Sequence, residues 1–342
     1  MNILEQAADA GADSALRSLP DWRPGDHVLR DAWFPVAHTA DARRKPVLRL
    51  VHSLPYYIWL TDDGWRAESH HPANRTSKDR IFSYPIVERY GHVWVWYGEN
   101  DNADPDLIPD VPFLRRDRPQ PAHARGVNFF HCTYELVLEN ILDLTHIDFV
   151  HGSMTGAAEH AEEDNVTFQS TSETVTMIRT VKGRLTSRFQ REVLGVEEKF
   201  QDQTVFTHIF IRSGVCFLHS HYSTAPSIPL MQSNTPESRT LTRANFAFGI
   251  EQTDNLQFRR AWPATAPIIA GQDESVLNPQ NPRYFGRPPR RDRSTRFDSA
   301  GLHYRERQAE LVARQKQGDF GYGRDYREGT DIASILKVKR MD

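Results

Sequence analysis

The stretch "ELVLENILDLTHIDFVHG", residues 135–152, sets Asn140, Asp143, His146, Asp148 and His151 among Leu, Ile and Val. A helix this apolar belongs against another layer of the protein, and polar groups taken inside with it need partners. Those partners are either neighbouring side chains or a metal ion. Imidazole and carboxylate suit divalent iron, zinc or manganese, and two His with one carboxylate on one face of the metal leave three positions open. On a regular helix, His146 and His151 diverge by roughly 140°. Both reach one ion only if the helix bends or ends between them, and Gly152 supplies a stop. Spacing alone leaves a packed helix and a metal site both open.

What surrounds this stretch is β-rich. From Trp33 to Gly98, "PVLRLV", "YYIWLT", "IFSYPIVERY" and "HVWVWY" are β-branched and aromatic runs parted by turn residues. Residues 102–113, "NADPDLIPDVPF", read as a Pro/Asp-rich linker. Between 165 and 258 the alternation resumes in several successive runs, which predicts an antiparallel sheet. A helix is expected to start at "IAGQDESVLNPQ" (269–280) and another over "SAGLHYRERQAELVARQK" (299–316). The fold class is therefore α+β. Its expected divisions are an N-terminal helical segment (1–32), a small β domain (33–101), a larger sheet-and-helix domain (102–316) and a C-terminal extension (317–342).

A formal net charge of -3 gives no reason to expect nucleic acid or a membrane surface as partner. The basic run "RPPRRDR" (287–293) is broken by an acid and prolines and reads as a solvated loop. The opening residues lack the basic and apolar regions of a signal peptide, and no run approaches the roughly 18 apolar residues of a membrane span. A cytoplasmic protein is expected. The two cysteines, Cys132 and Cys216, are far apart and form no CxxC pair, so neither a disulfide framework nor a thiolate cluster is available within the chain.

The pattern EN-xx-D-xx-H-xxxx-H over Glu139–His151 closely resembles the motif of Rieske non-haem iron oxygenase catalytic subunits, especially the vanillate O-demethylase and dicamba-demethylase branch. The resemblance extends to "WFPVAH" (33–38), "YPIVERYGHVWVWYGE" (84–99) and "FDSAGLHYRERQ" (297–308). It implies a helix-grip-like catalytic domain after a Rieske-like β domain. It also implies that His146 and His151 ligate Fe(2+), with Asn140 and Asp143 as catalytic-site residues beside them. The family's third ligand is an Asp entering a later helix, often with a Gln seven residues on. "GQDESVLNPQ" nominates Asp273, with Gln280 at that distance; Asp164, Glu251 and Asp254 are competing carboxylates. The sheet stretches 206–211, 217–222 and 245–248 are expected to line the substrate cavity. His219 and His221, two apart on a strand, either line that cavity or pack in the core, and His70 and His71 read as a surface pair.

One part of the family pattern is missing. The [2Fe–2S] cluster normally hangs on two loops, CxH and CxxH. Here "LPYYIWLTDDGW" carries Leu54 and Tyr57 where the second loop has Cys and His, and between Trp33 and Leu54 there is too little chain for the first. No [2Fe–2S] cluster is expected in this chain. The resemblance then implies a divided oxygenase, for which bacterial methylxanthine N-demethylation offers a family precedent. NAD(P)H-derived electrons would arrive through a separate Rieske protein or reductase. O2 and a small aromatic or heterocyclic molecule would be the substrates, and a homo- or hetero-trimer the assembly. The expected reaction is hydroxylation or oxidative N- or O-demethylation. Two alternatives stay open: a non-catalytic subunit of a mixed oligomer, and an iron enzyme that needs no external Rieske electrons.

Overall fold

The computed structural model describes residues 29–70, 81–116, 122–156, 163–251, 255–284 and 295–321. The expected helix near the N-terminus, His71, Asp254 and most of the C-terminal extension lie outside the described residues. The first strand, β1 (Ala32–His38), is followed by a short helix, α1 (Thr39–Arg44), and by β2 (Val47–Val51), β3 (Leu54–Thr61), β4 (Gly64–His70), β5 (Ile81–Ser83), β6 (Ile86–Arg89) and β7 (His92–Tyr97). They form two small antiparallel sheets, β1-β7-β6 and β2-β3-β4-β5. The β2–β3 turn is made by His52 and Ser53, both at positive φ (48° and 66°), as a two-residue type I′ hairpin requires. Their backbone N–H groups donate to Pro236 O at 2.7 Å and Glu237 O at 3.0 Å in the larger sheet, which holds this costly conformation in place.

Eight strands build that larger sheet: β8 (Ala122–Phe130), β9 (Glu163–Ser170), β10 (Thr174–Leu185), β11 (Phe200–Phe210), β12 (Val215–Tyr222), β13 (Ile228–Ser233), β14 (Thr235–Ser238) and β15 (Leu241–Ile250). All neighbours are antiparallel, in the order β9-β10-β11-β12-β13-β15-β14, with β8 paired along β15. Period-two alternation gives the sheet two different faces. On one, Val175, Met177, Val205, Ile209 and Cys216 pack against Tyr134, Leu138 and Leu142 of α2 (Tyr134–Leu142) and Tyr304 and Leu311 of α8 (Ser299–Lys316). On the other, Phe206, Phe210, Phe217 and Met231 meet Trp33, Trp94 and Trp96 of the small β layer. Leu107, Ile108 and Val111 of the expected linker, with Leu114 just after it, are buried in that second core. The segment is a strap that fills the seam, because its short turns alternate prolines with large aliphatic side chains.

After α2 come α3 (His146–Val150) and α4 (Gly152–Thr155), then α5 (Arg188–Leu194), α6 (Leu256–Leu277) and α7 (Asn281–Tyr284). α5 opens on a capping box in which Ser187 and Gln190 satisfy each other's backbone N–H groups. α6 begins well before the predicted residue 269, and runs through Pro263 and Pro267. Its buried Phe258, Trp262 and Ala266 pack on Phe246 and Ile250 of β15 and compensate for the bonds the prolines remove. No helix among the described residues is long and apolar enough to cross a membrane.

Two buried carboxylates generate predictions. Glu173 and Arg212 pair at 2.9 Å, with side chains 0% and 1% exposed. Glu173→Gln leaves the guanidinium buried without its counter-charge, and should lower unfolding free energy by about 3 kcal/mol in denaturant titration. Glu135 is fully buried in α2; burial lifts its carboxyl to about 8, against hydrogen bonds from Thr133 and Gln308 that act to lower it. Between its ordinary 4.5 and about 8 the native state holds one proton more than the unfolded chain, so this contribution weakens as pH rises. Above pH 5, the stability of wild type relative to Glu135→Gln should fall by about 1.4 kcal/mol per pH unit and level off near 8.

Candidate metal centre

The helix that carries the motif is interrupted twice. α2 ends at Leu142, Asp143 takes φ -86° and ψ 85°, and the chain turns before α3 begins at His146. A second break falls at His151, φ -111° and ψ 4°, between α3 and α4. These breaks cancel the divergence of a regular helix. The two imidazole rings lie 5.1 Å apart at 73° and point to the same place.

Asp273, on α6, meets them there. Its Oδ1 is 2.9 Å from His151 Nε2 and 3.4 Å from His146 Nε2. One ligand atom from each of the three residues falls within 4.8 Å of the others. Burial alone would raise the Asp273 carboxyl, but its contacts with His146 and His151 outweigh this and hold it at about 2. Burial would likewise lower His146, and the same carboxylate overcomes it to raise the imidazole above 6.5. The pocket of three side chains therefore favours positive charge at its centre.

Each ring also has its far nitrogen engaged. His146 Nδ1 donates to the backbone carbonyl of Asp143, and His151 Nδ1 to Gln272 Oε1 at 2.9 Å. With Nδ1 acting as donor, Nε2 is left to offer a lone pair to a cation. Asn140 Nδ2 donates to Asp273 Oδ1 at 3.0 Å, fixing the carboxylate from the α2 side. Two imidazoles and one carboxylate, oriented this way, are a donor set that suits a divalent iron.

Asp143 stands in the turn, and its backbone carbonyl is the group that meets His146 Nδ1. The carboxylate accepts from the backbone N–H of Thr145 at 2.9 Å and from the Thr145 hydroxyl, holding the turn. Among the competing acids, Asp164 is bound by Arg179 at 2.6 Å and Glu251 by His219 at 3.2 Å. Gln280 is exposed and donates to Val276 O at 3.1 Å. Gln272 is the residue that reaches a ligand, and its one sequence clue is adjacency to Asp273.

His219 and His221 stack with ring centroids 4.0 Å apart. His219 contacts Phe206 and Phe217, which belong to the core shared with the small β layer. Both histidines thus face away from α2 and α6. The stretches expected to line a cavity divide the same way: Thr207, Ile209, Leu218, Ser220, Phe246 and Phe248 turn toward the helices, and their neighbours turn away. Leu54 and Tyr57 lie on β3, directly after the two-residue turn; Leu54 is buried and Tyr57 is 46% exposed. Cys132 and Cys216 are both buried free thiols, and burial pushes the Cys132 thiol up to about 12.

Residues 130–314, more than half of the chain, match the family model for the vanillate O-demethylase oxygenase C-terminal domain. The vanillate O-demethylase oxygenase subunit of Pseudomonas sp. (strain HR199 / DSM 7063) is 26% identical over 259 residues, covering 69% of this chain and 71% of that one. The crystal structure of dicamba monooxygenase bound to 3,6-dichlorosalicylic acid superposes with a TM-score of 0.71 at 16% identity, over 84% of this chain and 98% of that one. NdmA of Pseudomonas putida CBB5 with caffeine superposes with a TM-score of 0.61 at 17% identity, over 89% and 95% of the two chains. A chain that matches this family model over more than half of its length, and shares this fold, belongs to the vanillate O-demethylase oxygenase family of Rieske-type oxygenase catalytic subunits and is an oxygenase.

Proposed function

We propose that the chain is the iron(II)-bearing component of a divided oxygenase. It hydroxylates, or oxidatively removes an N- or O-methyl group from, a small aromatic or heterocyclic substrate. The convergence of His146 Nε2, His151 Nε2 and one Asp273 oxygen, with both Nδ1 atoms engaged, carries this reading. Iron(II) held by these three side chains would supply O2 activation; one oxygen atom inserted into a methyl C–H bond, with the other leaving as water on two donor electrons and two protons, would give a hemiacetal or carbinolamine that releases formaldehyde. The chain's own residues hold the ligands: Asn140 steadies Asp273, Gln272 sets the His151 ring, and the Asp143 carbonyl sets His146. The sheet stretches 206–211, 217–222 and 245–248 mix aromatic, apolar and a few polar side chains, which supports a small, flat, partly polar substrate.

The electron source follows from what stands at the cluster positions. A leucine and a tyrosine on a continuous strand offer neither thiolate nor imidazole, so a separate Rieske [2Fe–2S] protein with its reductase delivers NAD(P)H-derived electrons. Asp143, in the turn just before His146, is the group we assign to such a donor. A ring of three subunits, homo- or heteromeric, in the cytoplasm is the proposed setting. The rival reading, a non-catalytic scaffold subunit, gives no reason for two imidazoles to be aimed at one carboxylate.

Four measurements test this. Anaerobic reconstitution should load about one iron per chain, and His151→Ala or Asp273→Ala should abolish loading; an iron-free wild type after reconstitution favours the scaffold. Gln272→Ala should weaken iron binding about tenfold by freeing the His151 ring. Product should form with a Rieske donor and reductase present and not without them; equal turnover without the donor sinks the divided-oxygenase reading. Asp143→Asn should abolish donor-dependent turnover while leaving iron bound, and unchanged turnover removes Asp143 from the electron path.

A further inference from the structure

The two ligand histidines sit on a segment with little capacity to hold its own shape. α3 is five residues long, lacks a side-chain cap and contains no fully buried residue, and α4 is four residues long. Helices this short do not persist alone. Two guanidiniums from β10 hold the segment. Arg179 donates from Nη1 to Leu144 O at 3.0 Å, just before α3, and from Nη2 to Asp148 Oδ2 at 2.5 Å. Arg184 pairs through Nη1 with Asp148 Oδ1 at 2.8 Å and donates from Nη2 to Gly156 O at 2.5 Å, just after α4. Both arginine side chains are 3% exposed or less. Asp148, between the two ligand histidines, is therefore shared by both cations, and the segment is tied at its beginning, middle and end.

Strand alternation would place residues 179 and 184 on opposite faces of β10. They share a face because the ladder slips between them. Val181 pairs with Gln203, and the next pair is Arg184 with Gln201, so β10 spends one residue more than β11. Gly183 takes φ 72°, the left-handed conformation of a glycine bulge, and its N–H donates to Asp202 Oδ1 at 3.1 Å. The extra residue turns Arg184 back onto the face of Arg179. Gly156, at φ 78°, approaches so closely that a Cβ there would sit 2.1 Å from Leu185 O.

A buried ionic pair is a poor way to add stability, since apolar groups of the same volume often do as well. Directional guanidinium–carboxylate and guanidinium–carbonyl bonds do fix orientation. We propose that Asp148, Arg179 and Arg184, aimed by the bulge at Gly183, are positioning residues that set the separation of His146 and His151 at the metal centre. This rests on the reading of His146, His151 and Asp273 as metal ligands.

Anaerobic titration of the full chain with Co(II) tests the clamp, with visible absorption reporting ligand geometry and denaturant unfolding followed in parallel. Asp148→Asn and Arg184→Lys should each weaken Co(II) binding about 10- to 100-fold and alter its visible spectrum. Glu173→Gln, which breaks a buried ion pair at the opposite end of β10, should lose stability yet bind Co(II) with the wild-type affinity and spectrum. Wild-type binding and spectrum in Arg184→Lys overturn the clamp, as does equal weakening in Glu173→Gln. Should Asp148→Asn fail to fold, Arg184→Lys, which keeps the charge, decides. A wild-type chain that does not bind Co(II) overturns the metal reading and the clamp with it; wild-type binding with unaffected variants overturns the clamp alone.

Discussion

Everything at the centre of this protein depends on where one helix stops. Had α2 continued through His151, its two histidines would have diverged and Asp273 would have met at most one of them. The breaks at Asp143 and His151 turn a linear motif into a convergent one. Neither break is made by glycine or proline. The first is held by the Asp143 carboxylate folding onto Thr145, and the second by contacts that α3 and α4 make with β10 and α6.

The large sheet is the frame that makes those contacts possible. One face carries the aliphatic residues on which α2 and α8 lie; the other carries the aromatic residues that receive the small β layer and the strap of residues 102–114. The small β layer is joined to this frame by backbone hydrogen bonds from the His52–Ser53 turn and by Asn245 Nδ2 donating to Pro35 O at 2.9 Å. The His52–Ser53 hairpin turn is thereby part of the protein's seam.

Much of the candidate site is legible in the residues themselves. Asn140, Asp143, His146, His151 and Asp273 all lie at the converging turn and on the facing helix. The missing residue was Gln272, which no period or spacing distinguishes from other surface glutamines, whereas Gln280 matched a family distance and lies exposed. His219 and His221 show the opposite limit. Their spacing placed them on one face of a strand, correctly, but period two cannot say which face a curved sheet turns toward its helices. The N-terminal half of α6 was hidden by Pro263 and Pro267, which local propensity counts against a helix and tertiary packing on Phe246 and Phe248 overrides.

By itself, the sequence determined the α+β class, most of the strands and the ligand candidates, because each follows from local side-chain chemistry and short periods. Tertiary structure alone decided which carboxylate joins the histidines. It also decided that the Asp143 carbonyl rather than its carboxylate orients His146, and that Arg179 and Arg184 reach the same segment. Those outcomes depend on the register of β10 against β11 and on the path of α6 across the sheet. The first pairs residues 15 to 36 positions apart along a slipped ladder, the second brings Asp273 to His151 across 122 positions, and no local pattern records either.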